Sequence, residues 1–559
     1  MPRPPRLLAL LTILLACGVL APASSSSVFA NSAAQRWIVS LDTTAKQASV
    51  LESLTQAGYT PQRTLDCASA VVVSESPGMQ HKSIDSVQKL AGVENVEPDD
   101  MFVMPRRPDM VKPLSRLSEP THAKPTPRDA ARPKVIPDDE FFTYQWSLPR
   151  IDAPGAWDYT TGAADALSTV AILDSGVDRD HPDLAGRVFS EAGYNFVDNN
   201  TDTTDNSRVG SGTQIAGIIA ATGNNSSGIA GLTWNSQIIP IKVLRPDPHY
   251  GGDVGQWSDV IAGICYAVSH NAQVIHIGVA ASKLEQGPTL RRALDAAVAS
   301  GAVIVAPGGD EGQKGNPTEY PAAFSSVISV SAVNESNDTV AESNSGSYIT
   351  LSAPGDNVLT TVPMSIRPEG YGYLGGSNIA AAHVSGVALL IKAVNPTLTA
   401  SEVRDILRQS ADDLRPPGPD FTFGAGLVNA RRAVLSTPHW LTVSPSEPLT
   451  FQWDQQNQEY QQQSLSIANT NTSALTWKAE ASVPWLQVAA PQGATPSLVT
   501  VSPLPPTGDQ CGTLITTVKA ESTMPRQADG SKDVPVRVYL PECPRLPYNV
   551  YLPLILGGQ

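Results

Sequence analysis

The sequence predicts an α/β protein: a mostly parallel sheet flanked by helices, preceded by a small α/β unit and followed by an antiparallel β-sandwich. Three observations predict it. Between residues 141 and 437, short apolar runs alternate with helical patterns: STVAILD, QIIPIKVL, AQVIHIGV, GAVIVAPG and SVISVSAV. Runs of this length separated by helices belong to a parallel sheet buried on both faces. From Pro438 the helical period disappears, and LTVSP, SLSIAN, LTWKAE, WLQVAA, LVTVSP, TLITTVKA and VPVRVYL alternate or run apolar between turn residues, as in a sandwich. Upstream, RWIVSL and AVVVSE read as strands around helical patterns at 45–58 and 84–91, a small unit of its own.

The chain has 559 residues, too many for one compact domain, and its 41% hydrophobic content is ample for real cores. Its formal charge of -15 argues against nucleic acid as a partner, since phosphate neutralisation needs clustered Lys and Arg. Residues 1–30 read as a signal peptide: Arg3 and Arg6, an apolar run from Leu7 to Leu20, and a small-residue cleavage pattern at Val28-Phe29-Ala30. The protein is therefore expected to be secreted. The alternative is a lipid anchor on Cys17, because Leu14-Leu15-Ala16-Cys17 matches a lipobox. Residues 36–104 form the small α/β unit, closing with GVENVEPDDMFV. Residues 105–140, rich in Pro and Arg, read as an unfolded linker, with Arg106-Arg107 a cut site for another protease. The main α/β domain spans 141–437; within it Ser401–Leu414 is amphipathic, with Ser401 as the expected cap. The sandwich spans 438–545, and 546–559 is an apolar tail. In the exported protein Cys511 and Cys543, in one C-terminal segment, are the expected disulfide, two free buried thiols being the alternative; Cys67 and Cys265 sit in separate segments.

Working groups in such a sheet gather at the carboxyl ends of its strands. VAILD ends on Asp174, within DSGVDRDHPDL; GSGTQIAG covers residues 210–217; Gly376-Ser377-Asn378-Ile379-Ala380-Ala381-Ala382-His383 opens a small-residue helix expected to be buried all round. These blocks, in this order and at long separations, resemble the subtilisin-like serine peptidases over residues 141–437. Residues 36–104 resemble that family's inhibitor-type propeptide, FGAGLVNARRAV resembles its last helix, and LTWKAE…WLQV resembles immunoglobulin-like BACON modules.

The resemblance implies an Asp, His and Ser triad in that chain order, with an Asn helping to bind the oxyanion. Here Asp174 holds the acid position, but Ser211 stands at the base position, Asn378 at the nucleophile position and Asp310 at the oxyanion position. The Asn-Met-Ser-Leu-Gly substrate wall reads His276-Ile277-Gly278-Val279-Ala280. A serine hydroxyl is no base near neutral pH, and a carboxamide is a poor nucleophile that proton removal does not activate. An ionised Asp310 repels the oxyanion it should stabilise. Loss of the Ser or the His alone removes about 10⁶ in kcat in this chemistry.

The expectation is thus a catalytically inactive relative that binds a peptide or protein in the former substrate cleft, or serves as a scaffold, as a monomer. An active endopeptidase with a non-standard site is the alternative; rescue would need His249, His276 or His383 beside a nucleophile such as Ser377. A second alternative is attachment to a carbohydrate or other cell-surface polymer through the sandwich, which exposed aromatics among Trp440, Trp477 and Trp485 would favour. No cofactor is expected beyond a structural calcium, which the resemblance assigns to Asp183 and Asn225. The four altered site residues either form a cation site of their own or satisfy one another as polar remnants.

Overall fold

A computed structural model of the chain describes residues 35–42, 46–76, 83–104, 112–113, 135–162, 168–282, 287–438 and parts of 441–539. The signal peptide, Cys511, Cys543, Trp440 and the tail at 546–559 lie outside the described residues.

The first unit is a four-stranded antiparallel sheet in the order β2-β3-β1-β4, from β1 (Arg36–Leu41), β2 (Tyr59–Leu65), β3 (Ala70–Glu75) and β4 (Val93–Pro98). Its helices are shorter than the sequence pattern, Gln47–Gln56 and Ile84–Val87. The apolar run of β3 is explained by alternation. Val71 and Val73 pack with Val39 and with Val50 and Leu54 of the helix Gln47–Gln56, whereas Ala70 and Val72 join Ile38 and Leu65 in a core shared with the main domain. The two central strands of this sheet are therefore largely covered on both faces. A disulfide between Cys67 and Cys265 crosses that shared interface.

The chain then forms β5 (Met101–Met104) and enters the main domain, built on β6 (Thr169–Asp174), β7 (Tyr194–Asn195), β8 (Gln237–Lys242), β9 (Leu244–Asp247), β10 (Gly252–Gln256), β11 (Val274–Ile277), β12 (Val303–Pro307), β13 (Ile328–Val333) and β14 (Leu351–Pro354). Seven of these form one parallel sheet, in the order β14-β13-β12-β11-β6-β8-β7. The five apolar runs singled out in the sequence supply β6, β8, β11, β12 and β13, and every residue of β6, β11, β12 and β13 is buried. One face packs on the helices Ser211–Ala220 and Ser377–Val394, the other on Trp257–Ser269 and Pro288–Ala299. The helix Ser377–Val394 is long and apolar enough to cross a membrane, but it is the core helix, buried at every residue except Asn378.

In the main domain one helix departs from the sequence reading in its cap and in its end. The amphipathic helix spans Ala400–Ser410, and its cap is Thr399 rather than Ser401. Thr399 accepts from the Glu402 amide while Glu402 reaches back to the Thr399 amide, a reciprocal capping box that Ser401, already inside the first turn, has no geometry to make. Two stretches assigned to the linker also lie on the domain. Lys112 exchanges backbone hydrogen bonds of 2.9 and 3.0 Å with Tyr373, and the Asp138 and Asp139 carboxylates accept from the Ser226 and Asn224 amides.

The C-terminal region forms two facing sheets around Phe451, Leu465, Ile467, Trp477, Val499, Val501, Val536 and Val538. Most pairs are antiparallel, but Leu449–Asp454 runs parallel to Lys532–Tyr539. Trp477 is core, and Trp485 is half-buried against it.

Candidate functional site

β6 delivers Asp174 to the carboxyl end of the sheet, in register with Lys242 of β8. Its carboxylate is fully buried and closely enclosed. Oδ1 accepts from the Ser175 amide at 2.7 Å and from the Ser211 hydroxyl; Oδ2 accepts from Asn378 Nδ2 at 3.3 Å. The helix start that presents Ser211 sits this close because Gly212 has no side chain: a Cβ there would lie 2.0 Å from the Gly176 carbonyl oxygen. Gly278 makes the same allowance on the other side, where a Cβ would lie 1.8 Å from Asp174 Oδ2. Burial pushes the Asp174 carboxyl up to about 7, against the hydrogen bonds from Ser211, Ser175 and Asn378.

Asn378, at the second position of the helix Ser377–Val394, is held from behind by β11. His276 Nε2 lies 2.9 Å from Asn378 Oδ1, and His276 Nδ1 lies 2.9 Å from the Ser385 hydroxyl one helical stretch further on. Burial pulls His276 down to about 4, so the ring is neutral at pH 7, with one donor and one acceptor nitrogen. The hydrogen bonds then form one directed chain. Ser385 donates to His276 Nδ1, Nε2–H donates to Asn378 Oδ1, and Asn378 Nδ2 donates to the Asp174 carboxylate. With Asp174 protonated at Oδ2, the same contacts would require every link to reverse: Asp174 donating, the Asn378 amide turned over, and His276 protonated on Nδ1.

Asp310 follows β12 on the Gly308-Gly309 turn. Its Oδ1 accepts from the Ser377 amide at 2.8 Å, so the carboxylate sits at the amino end of the core helix, where the helix dipole favours negative charge. Ser377 is buried, and its hydroxyl accepts from the Gly309 amide at 3.2 Å. The structure thus brings Asp174, Ser211 and Asn378 into one network and places Asp310 beside it through Ser377. The other histidines weighed as rescuing groups, and His181, are elsewhere. His383 is buried against the Ile379 carbonyl, His181 donates to the Gly370 carbonyl at 2.7 Å, and His249 is exposed on the hairpin between β9 and β10.

The two residues assigned to calcium do not converge. Asp183 is buried; Oδ2 accepts from the Ile229 amide at 2.8 Å, and Oδ1 has no hydrogen-bond partner. Asn225 is exposed, and its Oδ1 closes its own turn by accepting from the Ser227 amide. Among the described residues no group of three His, Cys, Asp or Glu side chains is arranged to hold a metal.

Several features escape sequence reasoning. Lys242 is a buried cation behind Asp174, donating to the carbonyls of Ser175 and Thr204 and to Asn206 Oδ1; burial pulls it down while Asp205 holds it up. Its one signal is a charged residue ending an otherwise apolar strand, QIIPIK. Glu319 is a buried carboxyl at the cleft, pushed up to about 7 by burial, then by Glu311 and Asp310. The cleft itself is partly filled. β5 pairs antiparallel with β10, Met101 opposite Gln256 and Met104 opposite Asp253, extending the β10-β9 hairpin to three strands. Phe102 lies on Trp257 with ring centroids 4.8 Å apart. A cavity of about 360 Å³ remains, lined by Met101–Met104, Ser211, Gly278, Asp310, Glu319 and Asn378 among others.

Comparison with known proteins agrees with this architecture. The subtilase family (peptidase S8) profile matches residues 167–426. Thermitase from Thermoactinomyces vulgaris is 36% identical over 299 residues, covering 53% of this chain and 99% of that protein. Subtilisin from Bacillus pumilus is 36% identical over 294 residues, 52% of this chain and 98% of the relative. Subtilisin E from Bacillus subtilis (strain 168) is 36% identical over 294 residues, 52% of this chain and 70% of the relative. With a parallel sheet that carries Asp174 at a strand end and the helix starts of Ser211 and Asn378 beside it, the chain belongs to the subtilase family.

Proposed function

We propose that this subtilase does not cut peptides, and that its cleft serves to hold an extended peptide or protein segment. One observation carries the reading: the groups at the base and nucleophile positions are bound to Asp174 and to each other's partners, leaving neither a proton acceptor nor an activated nucleophile. Ser211 donates to Asp174, Asn378 is held between Asp174 and His276, and the neighbouring Ser377 hydroxyl is buried on the Gly309 amide. The occupation of the β10 edge by β5 supports the binding half of the proposal, since an added strand gains main-chain hydrogen bonds there. Among the described residues Trp477 and Trp485 contribute to the sandwich core and so do not support attachment through exposed aromatics there. The test is fluorophosphonate labelling and peptide hydrolysis by the purified protein after its linker has been cut. The expected result is neither signal; labelling that disappears in Ser377→Ala would overturn the proposal.

Two subsidiary proposals go with it. Secretion is supported by the Cys67–Cys265 disulfide, which fits an oxidising compartment; an intact mass of cytosolic protein with the bridge formed would count against it. A lipid anchor on Cys17 is the alternative localisation. A structural calcium at Asp183 is supported by the buried, unpartnered Oδ1, although Asn225 is committed to its own turn. A chelator should then lower Tm by several degrees, and an unchanged Tm would remove calcium from the account.

A further inference from the structure

The unit at 36–104 is joined to the main domain by three different kinds of link centred on the helix Trp257–Ser269 and the strand before it, with further polar contacts from Ser40 to Thr289 and from Glu94 to Arg292 on the helix Pro288–Ala299. The first is covalent. Cys67, in the turn after β2, is bonded to Cys265 near the end of that helix, 198 residues away in sequence. The second is polar and lies at the other end of the same helix. The Asp99 carboxylate accepts from the Ser258 amide at 2.9 Å and from its hydroxyl at 2.7 Å, and Arg36 pairs with Asp99 at 2.9 Å. Arg63 pairs with Asp259 at 2.6 Å and donates to the Phe196 carbonyl at 2.7 Å. The third is β5 on the β10 edge, with Phe102 on Trp257.

A cleft occupant held by non-covalent contacts alone dissociates once the linker is cut and the protein is diluted below the dissociation constant of those contacts. The bridge changes that outcome. A tethered segment rebinds at an effective concentration on the order of millimolar, which a free peptide at micromolar concentration does not displace. We propose that the 36–104 unit is a permanent, disulfide-linked subunit, and that the cleft is a thiol-gated site. Reduction of Cys67–Cys265 exchanges β5 for another extended peptide with a bulky apolar residue to take the place of Phe102. The opening step balances with a dithiol as reductant. One thiolate attacks a sulfur of the bridge to give a mixed disulfide, the second thiol displaces it, and Cys67 and Cys265 leave as thiols while the dithiol becomes a cyclic disulfide. Both cysteines are half-buried, within reach of a small thiol. The identity of the incoming strand rests on the non-cleaving reading of the site; retention of the unit does not.

The experiment uses the full secreted chain, cut in the linker by an Arg/Lys-specific protease, and a fluorescent peptide of residues 95–104 as probe. Without reductant, the 36–104 fragment should co-elute with the main domain at nanomolar concentration, and the probe should not bind. After dithiol treatment the fragment should elute separately, and probe binding should rise at least tenfold. Cys67→Ser, which leaves every other pair of cysteines untouched, should lose the fragment on cutting alone. Release of the wild-type fragment without reductant, or its retention after reduction and dilution, overturns the proposal. If Cys67→Ser fails to fold, the two wild-type arms still decide it. Cleavage of the probe, read from the same samples by mass, would refute the non-cleaving reading while leaving the tether standing.

Discussion

The two walls of the cleft have been treated in opposite ways. The β10 edge keeps an open ladder of main-chain groups and uses it, pairing with β5 residue by residue from Gln256 opposite Met101 to Asp253 opposite Met104. The strand ends of β6 and β11, by contrast, are closed. Asp174, Ser211, Asn378, His276 and Ser385 are linked to one another and to Ser175, and Asp310 accepts from the Ser377 amide. An edge strand is recognised through backbone groups that any sequence supplies, so it survives substitution. A catalytic centre depends on particular side chains, and once these change, burial requires the new polar groups to find partners. The difference between the walls is the difference between a site that holds and a site that reacts.

The sharpest way to break this comparison is through pH, because the closed wall carries a buried carboxyl with a displaced titration. Asp174 titrates at about 7 in the folded protein and near 3.8 when unfolded. Below about pH 4 both states hold the proton. Between about 4 and 7 the unfolded chain releases it first, so stability falls as pH rises through that window. His276 and His383, pulled down to about 4, act in the opposite sense: what they contribute is present above about 6.5 and is lost as pH falls toward 4. The wild-type profile is therefore a partial cancellation, and the informative quantity is a difference. In Asp174→Asn the amide reproduces the protonated acid, donating to Asn378 while still accepting from Ser175 and Ser211. Relative to wild type, its stability should rise between pH 4 and 7.5 by at most about 4 kcal/mol, measured by denaturant unfolding. A difference that is flat with pH would mean that Asp174 is ionised throughout and that the wall is less closed than its geometry implies.

Two glycines sharpen the comparison further, one on each wall. Gly278→Ala puts a methyl 1.8 Å from Asp174 Oδ2 and 3.2 Å from Asn378 Nδ2, so the polar network has to move. Gly255→Ala, on the open wall, meets the Phe102 ring at 2.5 Å. Overpacking of this kind costs about 1–3 kcal/mol, but it should appear in different measurements. Gly278→Ala should lower Tm of the main domain by several degrees and leave the 36–104 fragment bound. Gly255→Ala should weaken fragment binding in the reduced, linker-cut protein, with a smaller change in Tm. The reverse assignment would place the shared strain in the wrong wall.

Much of this was legible from sequence, and what was not has identifiable reasons. Apolar runs ending in DSG or PGG locate β6 and β12, because burial on both faces forces an apolar string whatever the wider context. The altered residues at 211, 310 and 378 are visible because the surrounding glycines fix their positions. The partners of those residues are not. Nothing in IHIG marks His276 as the group behind Asn378, since a lone histidine in an apolar strand is compatible with any buried acceptor, and Ser385 lies 109 residues away from it. The Cys67–Cys265 bridge was hidden in the same way. Sequence proximity favours pairing cysteines within one segment, whereas this bridge depends on how one folded unit docks on another. The cap at Thr399 instead of Ser401 is a smaller miss of the same origin, since TASE offers two hydroxyls and the reciprocal bond to Glu402 selects between them.

The smallest expected effect is also the most specific to the closed wall. His276 is neutral on both sides of pH 7, so its titration should leave no charge signature there. Its tautomer, however, is coupled to Asp174 through Asn378. When Asp174 is ionised, Asn378 Nδ2 faces the carboxylate, Oδ1 faces His276, and the imidazole must carry its proton on Nε2. When Asp174 is protonated, the amide turns over, Nε2 becomes the acceptor, and Nδ1–H donates to Ser385. Nitrogen-15 shifts of His276 should therefore exchange between the two tautomers across about pH 7, with little imidazolium above about pH 6. Asp174→Asn should lock the Nδ1–H form at every pH, and Ser385→Ala should weaken that form without altering the midpoint in any other way than by favouring the Nε2–H state. A histidine that keeps one tautomer from pH 5 to pH 9 in the wild-type protein would show that the bonds on either side of Asn378 do not form one chain, and the closed wall would then be a set of separate contacts.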